Sequence, residues 1–370
     1  MAVVGLGAVA RAVHLPILKK IQDHFEVAAI CDISPVTLSH CGERFGIGPD
    51  QRFSDLEEML ESVETEALMV LTSGSHSREV LSGLRSGLTV FSEKPLAYTA
   101  REAKEIGDAL SGSGDRLMVG YMKLYDPAVQ AAVELVRERG PARVVDVTVL
   151  HPSAGAQLAN TDFSPVGSAP APDAARAVAA EERELEREAL GEAAEQIGSI
   201  YSGVMLGSIV HDLAVMRALG IELDEIDQVH RWPQDARLPS LSVAARTSEG
   251  TMVNIGWHYL DGYPEYREEI RWHDSHGSLE LTFPTPYRLH APTFLDVRSV
   301  AGTIVEETRR HSPVEAFEQQ LLAFHAMARG GVPPKAGYAE GAADIVTCQR
   351  MATRLAETEK LVVGGEAGSL

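Results

Sequence analysis

Two clusters of residues near the start of this chain have types and spacings suited to chemistry. Gly5-Leu6-Gly7-Ala8-Val9-Ala10 follows the apolar run Ala2-Val3-Val4 and opens an amphipathic stretch. Gly5 permits a tight turn, Gly7 lets backbone approach a pyrophosphate, and Ala10 is small enough for close helix–strand packing. A helix opening there turns free N–H groups toward phosphates, which makes Gly5, Gly7, Ala8, Val9 and Ala10 candidate dinucleotide contacts. Asp32 ends the next apolar run, 25 residues after Gly7, where an acid hydrogen-bonds ribose hydroxyls. It also reads as a turn residue before Ser34-Pro35. No arginine follows in Ile33-Ser34-Pro35, so NAD is expected over NADP. The second cluster, Glu93-Lys94-Pro95, sits just after another apolar run, which places Lys94 at the carboxyl edge of a sheet. A lysine there offers a positive charge and a titratable proton.

The elements that must position these groups alternate over the first 120 residues. Apolar runs at Ala2–Val4, Val27–Cys31, Leu68–Leu71, Thr89–Phe91 and Arg116–Val119 alternate with helical candidates such as Asp55–Ser62, Ser77–Ser86 and Ala100–Ser111. Apolar strands alternating with helices predict βαβ units and a parallel, doubly wound sheet. Only three residues precede Gly5, so the first strand looks clipped and a natural start a few residues upstream is expected.

From about residue 142 the period changes. Arg143–Leu150, Leu241–Thr247, Thr251–Tyr259, Arg267–Trp272 and Ser278–Thr282 read as consecutive strands of an antiparallel meander. Helices are expected at Gly203–Leu219, Val314–Arg329 and Tyr338–Glu357. The fold class is therefore an α/β Rossmann domain, 1–122, followed by an α+β domain with a mainly antiparallel sheet, 123–370. Within the second, 152–202 is an insert, and helix 338–357 is expected to pack back on the first domain. Asp173–Gln196 carries eight acidic and three basic side chains after the loop Ser164-Pro165 through Pro172-Asp173. It reads as a solvated surface helix, or alternatively as a lid or oligomer contact.

Composition narrows the function classes. A net charge of -20 disfavours nucleic acid and anionic membrane surfaces. Cys31, Cys41 and Cys348 form no CxxC pair, no thiolate metal site is expected, and His273 and His276 lack further ligands around them. No apolar run near the length of a membrane helix and no secretory signal are read, so a cytoplasmic location is expected.

Taken together, the glycine loop, His14-Leu15-Pro16, Glu93-Lys94-Pro95-Leu96-Ala97 and Val119-Gly120-Tyr121-Met122-Lys123 resemble the glucose-fructose oxidoreductase / inositol dehydrogenase (Gfo/Idh/MocA) family. The resemblance covers the chain apart from the insert. It implies a Rossmann domain, a second domain whose large open sheet builds a homodimer or homotetramer, and NAD(P)-dependent oxidation or reduction of a sugar, inositol or related secondary alcohol. The family's catalytic lysine falls on Lys94, and its Lys-Pro bond is often cis. The loop touching the nicotinamide ribose falls on Thr72, Ser73 and His76, with Ser73-Gly74 replacing the more usual Pro-Asn, and Glu93 falls among the cofactor contacts. Tyr121 and Lys123 match a stretch that reaches substrate. The family's helical Asp and His four residues apart fall on Gly207 and His211, so the aspartate is missing here while the catalytic and substrate-binding histidine is kept. Residues four apart share a helix face; Asp212 points about 100° away and is a poor substitute.

Three functions follow from these residues. The leading one is an NAD-dependent oxidoreductase acting on a sugar, glycoside or inositol. The second is a glycoside-cleaving enzyme working by transient C3 oxidation and elimination. The third is a non-catalytic regulator that binds NAD or sugar.

Overall fold

The computed structural model describes residues 1–111, 115–159, 161, 172–234, 236 and 238–370. The loop expected from Ser164-Pro165 onward lies outside these residues up to position 171. By contact the chain divides into two units. The first comprises Met1–Tyr121, Asp162–Ala189 and Gln320–Val346; the second comprises Met122–Thr161, Leu190–Gln319 and Thr347–Leu370. The insert helix Pro172–Leu190 groups almost wholly with the first unit.

In the first unit, β1 (Ala2–Val4), β2 (Ala29–Cys31), β3 (Arg52–Phe53), β4 (Ala67–Val70), β5 (Thr89–Ser92) and β6 (Leu117–Val119) form one parallel sheet in the order β3-β2-β1-β4-β5-β6. Both faces of the central strands are covered, which is why their sequences are continuous apolar runs rather than alternating ones. The strand order reverses between β1 and β4, and ligands of such sheets bind outside the carboxyl ends at that point. The helix starts were legible: Asp55 caps Leu56–Ser62, and Thr99 with Glu102 forms a capping box for Ala100–Leu110. Phe324, from helix Ala316–Gly330, closes this core by packing edge-on against Phe91 at 5.7 Å.

The second unit holds an eight-stranded sheet made of β7 (Val144–His151), β8 (Glu225–Trp232), β9 (Ser240–Arg246), β10 (Met252–Tyr259), β11 (Arg267–His273), β12 (Gly277–Phe283), β13 (Phe294–Ala301) and β14 (Ile304–His311). Their order is β14-β13-β12-β11-β7-β10-β9-β8. The expected meander is corrected here, because β10 and β11 are not partners. β7 lies between them, parallel to β10 and antiparallel to β11, with Val147 opposite both Ile255 and Ile270. Three strands were missed. All eight residues of β14 are exposed, β13 pairs with that exposed edge, and β8 carries a bulge between Ile226 and Gln228. None offers the buried alternation that marks a strand in sequence.

The inner face of this sheet is apolar: Val145, Val147 and Val149 align with Val253, Ile255 and Trp257. The other face carries paired polar groups, with Asn254 donating to Asp146 at 2.8 Å, Arg271 to Glu280 at 3.0 Å, and Arg267 and Arg271 flanking Glu269.

The helical run Asp173–Ala218 is long and apolar enough, by length and composition, to cross a membrane, and 67% of its apolar stretch is buried inside the protein. The reading that no such stretch exists is corrected; Ile197, Ile200, Val204, Met205 and Ile209 spend that apolarity on the core of the second unit.

The turn out of β1 sets a steric limit. Gly5 has φ +86°, and a Cβ there would lie 2.4 Å from the Thr72 backbone nitrogen. Gly5→Ala is expected to cost about 3 kcal/mol from backbone conformation and overlap together, measured by urea unfolding.

Candidate active site

The glycine loop is held from below by Asp32. Its Oδ2 accepts the Leu6 N–H at 2.7 Å and its Oδ1 accepts the Ser34 N–H at 2.8 Å. Asp32 is thus the turn residue and the clip of the loop at once. Backbone at Gly7 faces open space, since nothing lies within 4 Å of where a Cβ would stand. The helical path continues with a wide-turned π segment at Ala10–His14 and then Leu15–Lys20. Thr72, at the carboxyl end of β4, has a buried hydroxyl with no hydrogen-bond partner among the described residues. A cradle that excludes Cβ atoms, an open glycine and an unsatisfied hydroxyl fit a dinucleotide at this edge.

His76 is buried, and its two ring nitrogens sit 2.6 Å from the Pro95 carbonyl and 2.8 Å from the Thr72 carbonyl. It therefore joins the loop after β4 to the backbone just after Lys94. Burial pushes its imidazole below the usual value, against both carbonyls and Glu93. The Lys94–Pro95 peptide is cis. Ser73 is exposed at the loop's rim. Tyr121 is buried, with its hydroxyl donating to Asp344 at 2.5 Å.

The insert helix is anchored on this unit rather than merely solvated. Arg101 forks onto Glu188 at 2.5 and 2.9 Å, and a Cβ at Gly74 would lie 2.5 Å from Glu182 Oε1. Burial raises Glu182 above the usual carboxylate range, with Glu186 and Glu181 adding to it.

In the second unit, His211 is half-buried in helix Val210–Ala218. Gly207 belongs to a π-helical stretch, Tyr201–Ile209, whose wider turns depart from the four-residue α spacing assumed for this pair. Ser208 on the same stretch accepts from Trp257 Nε1 at 2.9 Å, and Trp257 is core, packed against His151.

Sequence reasoning missed the strongest polar cluster of this unit. Lys123 Nζ pairs with Glu268 and sits 4.8 Å from the centre of the Phe283 ring. Tyr266 donates its hydroxyl to the other Glu268 oxygen at 2.5 Å, and the Asp212 carboxyl hydrogen-bonds Glu268. All four side chains are buried. Burial, then the Glu268 charge, pushes Asp212 well above the carboxylate range; burial also works against ionised Glu268, but Lys123 and its hydrogen-bond donors outweigh it and hold it low. A signal was present: β11 alternates, so Glu268 falls on the buried face with Ile270 and Trp272, where an acid needs partners.

Burial pushes the Cys31 thiol up to about 12 and Cys41 up to about 11, which leaves both as apolar packing rather than nucleophiles.

The strand order, the glycine cradle and the switch-point edge define a Rossmann-type dinucleotide-binding unit. Residues 1–121 match the Gfo/Idh/MocA oxidoreductase family with an NAD-binding Rossmann fold. Inositol 2-dehydrogenase of Agrobacterium fabrum is 34% identical over 142 residues, 38% of this chain. That match spans only 41% of the relative's own length. Two solved structures share the fold over nearly the whole chain. The aldose-aldose oxidoreductase of Caulobacter crescentus, complexed with glycerol, has a TM-score of 0.71 at 19% identity and covers 96% of this chain and 97% of its own. The WlbA dehydrogenase of Bordetella pertussis, in complex with NADH and UDP-GlcNAcA, has a TM-score of 0.68 at 17% identity and covers 96% of each.

Two outcomes are expected at the buried cluster. Lys123→Ala strands the Glu268 carboxylate and should cost about 3–5 kcal/mol in urea unfolding. Asp212 holds a proton in the folded state that the unfolded chain releases, so it makes stability fall as pH rises from about 4. Glu268 has the opposite sign, its contribution being present above its unfolded pKa and lost as pH falls. Asp212→Asn keeps a donor to Glu268 and should flatten the falling limb, seen in unfolding curves between pH 4 and 8.

Proposed function

We propose that the chain is an NAD-dependent oxidoreductase acting on a secondary alcohol of an inositol, sugar or glycoside. The observation that carries this reading is Lys94 following β5 at the carboxyl edge of a sheet whose β1 turn is a glycine cradle suited to a dinucleotide. The names of the relatives support the substrate class. Gly5, Gly7, Ala8, Val9, Ala10, Thr72 and Ser73 hold the dinucleotide in this reading, with Asp32 favouring the ribose diol of NAD over a 2′-phosphate.

A bound nicotinamide would supply the hydride acceptor for the carbinol carbon, or the donor in the opposite direction. His211 removes the hydroxyl proton as the carbon–oxygen bond gains double-bond character. The Lys94 ammonium polarises that oxygen and balances the charge that develops on it. In the reverse direction His211 returns the proton while the Lys94 ammonium polarises the carbonyl oxygen.

A second reading, transient oxidation at C3 of a glycoside followed by elimination of the aglycone, is favoured by position 207. Glycine stands there in place of a carboxylate, and a Cβ would meet only the Ser202 carbonyl, at 3.2 Å.

The test is NAD⁺ reduction across inositols, free sugars and glycosides with product analysis. Stoichiometric NADH and a ketone are expected; sugar release without accumulating NADH would select the second reading. Lys94→Ala should lower kcat by about a hundredfold or more while NADH binding, followed by fluorescence, is retained. Wild-type turnover in that variant would remove Lys94 from the mechanism.

A further inference from the structure

We propose that Glu93, fixed by His14, is a positioning carboxylate that holds the Lys94 backbone and keeps the lysine ammonium charged, rather than a contact to the dinucleotide. The proposal rests on the reading of Lys94 as the group that handles charge at the reacting oxygen. His14 ends the π segment that follows the glycine loop and is 0% exposed. Its Nε2 lies 2.9 Å from Glu93 Oε1, and its ring packs edge-on against Phe91 at 5.5 Å. The second carboxylate oxygen, Oε2, accepts the Lys94 N–H at 3.2 Å. Both oxygens of a side chain that is only 9% exposed are therefore engaged within the protein. Gly120 closes the site from the neighbouring strand end, where a Cβ would lie 3.2 Å from both Cδ and Oε1 of Glu93.

The ionisable groups facing Glu93 come from three elements: His14 from the glycine-loop helix, Lys94 beside it, and His76 from the loop after β4. Burial works to raise the carboxyl, but the hydrogen bond and charge of His14, then Lys94 and His76, hold it below the usual range. A carboxylate kept ionised at this depth favours the charged form of its lysine neighbour. Without His14, the buried carboxylate loses its donor and takes up a proton, and the lysine loses that support. His14 thereby ties the helix that receives phosphates to the charge state of Lys94.

The experiment measures Lys94 itself. Trace acetylation of the full chain with acetic anhydride across pH, read by peptide mass spectrometry, gives the midpoint of Lys94 titration whether or not any alcohol is oxidised. In Glu93→Gln and His14→Ala that midpoint should fall by about one unit, read as roughly tenfold faster acetylation at a pH below the wild-type midpoint. His14→Gln, whose amide nitrogen can stand near the place of Nε2, should keep the wild-type midpoint. NADH titrations of the same proteins should give an unchanged Kd. An unchanged midpoint in both Glu93→Gln and His14→Ala overturns the proposal. So does a lost NADH affinity in Glu93→Gln with an unmoved midpoint, which would make Glu93 a cofactor ligand. Should His14→Ala not fold, the isosteric Glu93→Gln decides alone. Failure of the proposed reaction shows instead in the turnover of Lys94→Ala, a separate readout.

Discussion

The exit of the chain from β1 constrains everything around the candidate site. At Gly5 the backbone passes so close to Leu71 and Thr72 that no side chain can exist there. That closeness is what puts the end of β4, with its unsatisfied Thr72 hydroxyl, beside the start of the first helix. Asp32 then fixes the loop from the β2 side through the Leu6 amide, so two neighbouring strand ends determine where the helix begins. A phosphate-binding helix N-terminus is useful only if its N–H groups are aimed, and here the aim comes from backbone packing and one carboxylate.

Each unit adds a buried ionic cluster to its apolar core. In the first, His14 and Glu93 face each other in full burial; in the second, Lys123, Glu268, Asp212 and Tyr266 do. Burying charges costs more than most such pairs return, and apolar replacements of equal shape are often as stable. Such clusters are therefore poor accounts of stability alone. Their common feature is position: one adjoins Lys94 in sequence, and the other includes Asp212, the residue after His211.

The parallel sheet was legible because each central strand is apolar on both faces, and its helices announce themselves by Asp55 and Thr99 caps. The tight turn at Gly5 and the turn at Asp32 were legible for a similar reason: single residue types enforce them locally. What could not be read is long-range. β7 inserts between β10 and β11, which lie more than a hundred residues further on, and no local pattern encodes that pairing. The edge strand β14 is solvated throughout, so it lacks any burial signature. The π stretch at Tyr201–Ile209 is apolar nearly all round, and such a sequence does not say which turn will widen. Glu268 was the avoidable miss, because an acid in step with Ile270 and Trp272 on one strand face requires a partner.

His76 shows how the first unit joins its two functional loops. Both ring nitrogens face carbonyl oxygens, Pro95 on one side and Thr72 on the other, yet a neutral imidazole has one N–H to give. Burial favours that neutral form, while the two carbonyls and the nearby Glu93 favour a second proton, and Lys94 opposes it. Burial prevails, so the neutral ring gives its single N–H to one of the two carbonyls. Its position makes the backbone after Lys94 and the loop after β4 share a single proton's preference.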